Sequence, residues 1–211
     1  MQIYYNQLDS KLKDNLKPIY IIAGSEIYQE EICLQKIIKT AKKASFFDHE
    51  VIYVEKSFDW DSFNSSNSNL SLFSSKKIIE LRFLTKSVGI TAEKKILEII
   101  ENFSQDNLII IRLPELKAAD FKKKYLGIKN SNVGLIRIYP MTRKDIITEL
   151  LSSSKSLSYK IDLKCINFIA DLYEGNMVAA NQALIKLDLM MTDDQQIDLM
   201  FLKKVFSKDV D

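Results

Sequence analysis

Tyr20-Ile21-Ile22-Ala23-Gly24-Ser25-Glu26-Ile27-Tyr28-Gln29-Glu30-Glu31 passes from an apolar run through a single glycine into an acidic, helix-forming start. A short apolar run broken by Gly and followed by three-and-four periodicity reads as a strand turning into a helix. The helix continues from Glu26 to Lys43, with Ile27, Cys33, Leu34, Ile37, Ile38 and Ala41 on one stripe and Lys36, Lys39, Lys42 and Lys43 mostly outside it. Gly24 stands where a phosphate-cradling loop would begin. Such a loop needs G-x-x-x-x-G-K-[ST], so that backbone amides and a lysine face the phosphates. Here Gln29 replaces the second glycine, Glu30 the lysine and Glu31 the hydroxyl. Two carboxylates would meet the nucleotide's negative charge at short range, which argues against a working NTPase. Gly24 then reads as a tight strand-to-helix turn.

Outward from this unit, four more β-rich runs follow the first at Ile19 to Ala23: Val51 to Glu55, Lys77 to Phe83, Leu108 to Leu113 and Val133 to Tyr139. Helical patterns separate them, among them Thr91 to Phe103 and Ala118 to Leu126. Nearly continuous apolar strands such as Leu108-Ile109-Ile110-Ile111 belong to a parallel sheet covered on both faces. Residues 1–140 are therefore expected to form an α/β domain with a parallel five-stranded sheet. After Pro140 the strands are expected to stop. Thr142 with Asp145 opens a helical region by reciprocal capping, a second helix spans about Asp162 to Glu174 with Gly175 as C-cap, Asn176 caps a third through Met190, and a fourth begins near Asp198. Residues 141–211 thus read as a small all-α domain.

Composition excludes several classes. Among 211 residues, 46% hydrophobic and 27% charged, only 5 are Gly and 3 Pro, too few for collagen-like or turn-dense all-β chains. The net charge of +2 gives no global attraction to a polyanion. No apolar stretch approaches the roughly 18 residues of a membrane span. Met1 to Leu12 lacks a basic segment with an apolar core, so no secretory leader is visible and a soluble, cytoplasmic protein with no membrane association is expected. Cys33 and Cys165 lie among apolar neighbours and read as buried thiols rather than a disulfide. The single histidine, His49, between Asp48 and Glu50, reads as a solvated loop residue, so neither a metal site nor a Ser/His triad is expected.

Two loop features carry binding chemistry. Asn69-Leu70-Ser71-Leu72-Phe73 closes a Ser/Asn run just before Lys76 and Lys77. Three large apolar side chains in a polar segment either tuck into their own domain, which pattern alone favours, or mark a partner site. Lys122-Lys123-Lys124-Tyr125 offers a single-strand DNA-binding alternative, although three lysines on a helix are usually a solvated face.

Tyr20 to Glu26, Phe58-Asp59-Trp60, Leu70 to Arg82, and Glu174-Gly175-Asn176 with Ala179, Ala180 and Lys186-Leu187 resemble, in order and spacing, the delta-subunit family of bacterial DNA polymerase III. The resemblance covers nearly the whole chain, and the Ser-Leu-Phe segment is its most specific part. It implies an AAA+-like fold, a P-loop NTPase-like sheet domain plus a helical lid, that neither binds nor hydrolyses nucleotide. No catalytic residue, cofactor or metal is then expected, and the chain would act within the DNA-directed DNA polymerase holoenzyme. Asn69, Leu70, Ser71, Leu72 and Phe73 are similar to the Gln-Leu-Ser/Asp-Leu-Phe motif by which the family binds the ring-shaped sliding clamp (beta subunit). Asn69 stands where Gln is usual, one methylene shorter, while Leu72 and Phe73 match. Val178 stands where ATP-sensing relatives place an Arg, and no Ser-Arg-Cys finger motif occurs. The implied role is binding and opening the clamp for loading onto primed DNA, beside the gamma/tau and delta prime subunits, with DNA met only indirectly. The family's C-terminal collar domain is expected to lie outside these 211 residues. An active P-loop NTPase and a single-strand DNA-binding module are the alternatives.

Overall fold

The computed structural model describes residues 2–63, 76–85, 87–104, 106–113, 118–125, 128, 130–191 and 195–206. The chain divides into two compact units, Met1–Pro140 and Met141–Asp211. In the first, β1 (Gln2–Ile3), β2 (Ile19–Ala23), β3 (Asp48–Val54), β4 (Lys77–Phe83), β5 (Asn107–Leu113) and β6 (Val133–Arg137) form one parallel sheet in the order β1-β6-β2-β5-β4-β3. Helices α1 (Leu8–Asp14), α2 (Ile27–Lys43), α3 (Ile90–Glu101) and α4 (Ala118–Lys124) belong to the same unit.

Side chains alternate across a strand, so the inner strands β2, β4, β5 and β6 each feed two cores. Ile19, Ile21, Ile79, Leu81, Ile109 and Ile111 pack with Ile96 and Ile100 of α3, Phe121 of α4 and Tyr125 just beyond it. Tyr20, Ile22, Ile78, Leu108 and Ile110 pack with Cys33, Leu34, Ile37 and Ala41 of α2 and Leu8 and Leu12 of α1. Covering on both faces is why β2 is buried at all five positions and why its sequence shows no polar alternation.

The sheet has six strands where five were expected. The extra edge strand, β1, pairs only Gln2 with Leu135 and Ile3 with Ile136, too short to show any periodicity. β3 begins at Asp48 rather than Val51. As the other edge strand it has one neighbour and solvent beside it, so its first three residues are exposed and polar. His49 accordingly sits in a strand and not in a loop.

The second unit holds α5 (Arg143–Ser154), α6 (Leu163–Leu172), α7 (Met177–Met190) and α8 (Leu199–Val205). Thr142 and Asp145 form the reciprocal capping box, and the side-chain and backbone hydrogen bonds from Thr142 hold the Asp145 carboxyl below its usual range. Asp162, Asn176 and Asp198 cap the three following helices through their side chains. Strands do not stop at Pro140: β7 (Lys160–Ile161) and β8 (Gln196–Ile197) form a two-residue parallel pair, each leading into a capping Asp. Helix α6 ends at Leu172 with Tyr173 as its C-cap, and Gly175 takes a left-handed φ of 73° beyond it, a conformation that favours glycine.

Candidate functional site

At the junction between β2 and α2 the chain leaving β6 passes close to Gly24. A Cβ on Gly24 would lie 2.4 Å from Ile138 Cβ and 2.5 Å from the Ile138 carbonyl oxygen. Glycine is required there by the close passage of the chain leaving β6, tied down where Ile138 N–H donates to the Ala23 carbonyl at 2.8 Å. The turn reading of Gly24 thus gains a steric cause.

Glu30, in the first turn of α2, is 2% exposed and points into the molecule instead of toward a ligand. Arg112 of β5 donates through Nε to Glu30 Oε1 at 2.7 Å and through Nη1 to Glu80 Oε1 of β4 at 3.0 Å. Glu31 Oε2 lies 3.5 Å from the same Nη1. Arg82 adds two donors to Glu80 Oε1, at 3.0 and 2.7 Å, and His49 Nε2 lies 3.1 Å from Glu80 Oε2. Strand alternation explains the convergence: Glu80, Arg82 and Arg112 share the even-numbered face with Ile78, Leu108 and Ile110, the face that α2 covers. The cluster therefore joins α2 to three adjacent strands.

Its electrostatics follow from burial set against pairing. Burial opposes ionisation of Glu80, but hydrogen bonds and charge from Arg82 and Arg112 outweigh it and hold the carboxyl below its ordinary range. Burial likewise opposes the charge on Arg112, and Glu30 and Glu80 more than reverse that, so its pKa is raised. One guanidinium thus serves two buried carboxylates at once, and removing it would leave both charges without it. The sequence reading saw Glu30 and Glu31 as repulsive but not what they bind. A signal was present, because Glu80 and Arg112 interrupt apolar runs of strands covered on both faces, where a charge must be paired.

The other sequence candidates fare differently. Asn69, Leu70, Ser71, Leu72 and Phe73 lie outside the described residues. His49 is exposed, as expected, but it lies in β3 and its side chain, 26% exposed, reaches fully buried Glu80. In the lysine run, Lys124 pairs with Glu93 at 2.7 Å and Tyr125 is fully buried in the core, so Tyr125 offers no face on which a base could stack. Cys33 and Cys165 are both buried, and they form no disulfide with each other. Val178 is 45% exposed in the first turn of α7. Among the described residues no helix is long and apolar enough to cross a membrane, and no group of three His, Cys, Asp or Glu could hold a metal.

A parallel sheet in this order, with a helix entering after a glycine turn and a helical second unit, defines an AAA+-like module. A Bacillus subtilis DNA clamp loader delta protein superposes with a TM-score of 0.64 at 15% identity, over 95% of this chain and 62% of the other. The Thermotoga maritima RuvB Holliday junction branch migration motor gives 0.55 at 12% identity, over 97% and 70%. Both likenesses speak for the fold alone. The family model for the DNA polymerase III delta subunit matches residues 20–133, and the chain belongs to that family. DNA polymerase III subunit delta of Haemophilus influenzae is 25% identical over 195 residues, 91% of this chain and 56% of the relative, and that of Escherichia coli is 22% identical over 92% and 56%. The chain spans a little over half the length of these relatives.

Proposed function

We propose that this chain binds and opens the sliding clamp during replication, as the clamp-contacting part of a clamp-loader delta subunit, without binding or hydrolysing ATP itself. The observation that carries the reading is the family match over residues 20–133, which encloses the Asn69-Leu70-Ser71-Leu72-Phe73 segment. Leu72 and Phe73 enter an apolar pocket of the clamp and Asn69 supplies an amide at its rim. Burying two such side chains is worth roughly 3 to 6 kcal/mol, enough for a dominant hot spot. Glu30, paired with Arg112 and turned away from any ligand, supports the nucleotide-free half of the reading. The partners are the clamp and the gamma/tau and delta prime loader subunits, in a cytoplasmic complex with DNA polymerase III. The chain itself has no catalytic residue in this reading.

Two titrations test it. Replacing Leu72 and Phe73 together by Ala should weaken clamp binding at least about a hundredfold while leaving the melting curve unchanged. Clamp binding equal to wild type would refute the site, and early melting would return both residues to the core. Calorimetry with Mg²⁺ and ATP should give no heat of binding, and micromolar affinity would refute the nucleotide-free reading.

A further inference from the structure

We propose that Phe47 and the lysines around it, Lys39, Lys42, Lys43 and Lys76, form a second docking surface for the sliding clamp, seated on an acidic face beside the pocket that takes Leu72 and Phe73. The inference rests on the clamp-binding half of the reading above and adds a partner surface to it. β3 and β4 run parallel and pair Asp48 with Lys77, so Phe47 and Lys76 stand at the same edge of the sheet, one residue before their strands begin. The chain reaches Phe47 through a left-handed turn: Ser45 has a φ of 71°, and the N–H groups of Ser45 and Phe46 donate back to Lys42 and Ala41 of α2 at 3.2 and 3.1 Å. Phe46 is buried at 8% exposure, while Phe47 beside it is 74% exposed. Lys76 braces this turn, donating from Nζ to the Ala44 carbonyl at 3.1 Å, with the ammonium 5.2 Å from the Phe46 ring centroid. Lys39, Lys42 and Lys43 are exposed. Complementing the C-terminal end of α2 accounts for the charge of Lys42 and Lys43 but not for Phe47. The carboxylates at this edge are Asp48, Glu50 and Asp106, and Lys77 holds Glu50. That leaves four lysines against Asp48 and Asp106, an excess of positive charge that selects an acidic partner face. Distance along the chain fixes the occupant. Phe73 precedes Lys76 by three residues, a reach of at most about 11 Å, so a clamp gripping Phe73 comes against this edge. Two contacts on one partner reinforce each other through effective concentration.

The test is surface plasmon resonance of the 211-residue chain over immobilised clamp. Phe47→Ala should weaken binding about tenfold and melt like wild type, since the side chain lies mostly in solvent. Lys42→Glu with Lys43→Glu should slow association about tenfold at low ionic strength, with the deficit fading toward about 1 M salt. Wild-type affinity in Phe47→Ala, or wild-type association in the lysine pair, would overturn the proposal. If Leu72 and Phe73 replaced together by Ala still lose the clamp, that failure leaves the clamp-binding reading intact. Wild-type binding by the Leu72 and Phe73 variant would overturn the reading and the proposal together. An exposed aromatic among lysines also suits a single nucleic-acid strand. A fluorescent oligothymidylate held by wild type and released by Phe47→Ala, with clamp affinity unchanged, would assign the surface to nucleic acid and overturn the proposal. Should Phe47→Ala melt early, the lysine pair, which is exposed, decides the matter by its association rate.

Discussion

Replacing Glu80 by Gln has the same chemical effect as protonating it, and that equivalence makes its energetic role measurable. The wild-type carboxylate accepts from Arg82 at 3.0 and 2.7 Å and from Arg112 at 3.0 Å, with no exposed surface on its side chain. Removing one partner of a buried charge cluster costs roughly 3 to 5 kcal/mol, and because the amide keeps the shape and one acceptor the lower end applies. At an m-value of about 2 kcal/mol per molar urea, that lowers the midpoint by roughly 1.5 M. Trp60, the only tryptophan, is packed against Phe58, Phe63 and Phe83, so its fluorescence reports unfolding of the α/β unit. The pH dependence is the sharper test. Glu80 titrates below its ordinary 4.5 when folded, so its contribution is complete above that pH and is lost as pH falls through the lower folded value. The two proteins should differ by the full amount at pH 7 and converge in acid. A difference under about 1 kcal/mol at pH 7, or one equally large in strong acid, would refute the account of the cluster.

Gly24→Ala should lower the stability read from Trp60 fluorescence by at least about 2 kcal/mol, because its Cβ would lie 2.5 Å from the Ile138 carbonyl oxygen and the strand exit must move. Thr142→Ala removes one half of the capping box and should cost about 1 kcal/mol, read as faster amide exchange over residues 143–146. Cys165, whose thiol is pushed up to about 12 by burial and then by Asp162, should resist thiol-directed reagents at pH 8 until denaturant is added; labelling of the native chain at the rate of a free thiol would contradict its placement.

The central strands were legible because a strand covered on both faces must be largely apolar, as β2 is throughout and β5 is from Leu108 to Ile111, while β4 keeps Ile78, Ile79, Leu81 and Phe83 between its charged residues. What escaped was either too short or non-local. β1, β7 and β8 are two residues each, so no period can be read from them. His49 was misread because an edge strand lined with Asp48 and Glu50 has the composition of a loop. The site was half legible. Glu30 and Glu31 could be recognised as hostile to phosphate from their spacing alone, but their partner Arg112 lies 82 residues from Glu30, a pairing that single-sequence periodicity does not encode. The Asn69 to Phe73 segment came from family resemblance, since a Leu-Phe pair in a polar run has no physical signature separating a docking site from a stray piece of core.

The strand order also sets a timetable for synthesis. β2 leaves the ribosome well before both of its neighbours, β5 and β6: Ile19 waits for Ile109 on one side and Val133 on the other. At ordinary translation rates the interval is on the order of ten seconds. Throughout it Ile19-Tyr20-Ile21-Ile22-Ala23, buried at every position in the finished sheet, has no strand to pair with. One side can be covered early, by Leu8 and Leu12 of α1 ahead of it and by Cys33, Leu34 and Ile37 of α2 directly behind it, which pack with Tyr20 and Ile22. The opposite side, Ile19 and Ile21, stays bare until later parts of its cluster, such as Ile96 and Ile100 of α3, arrive. That side is the one on which the nascent protein is most exposed to aggregation and most dependent on chaperones.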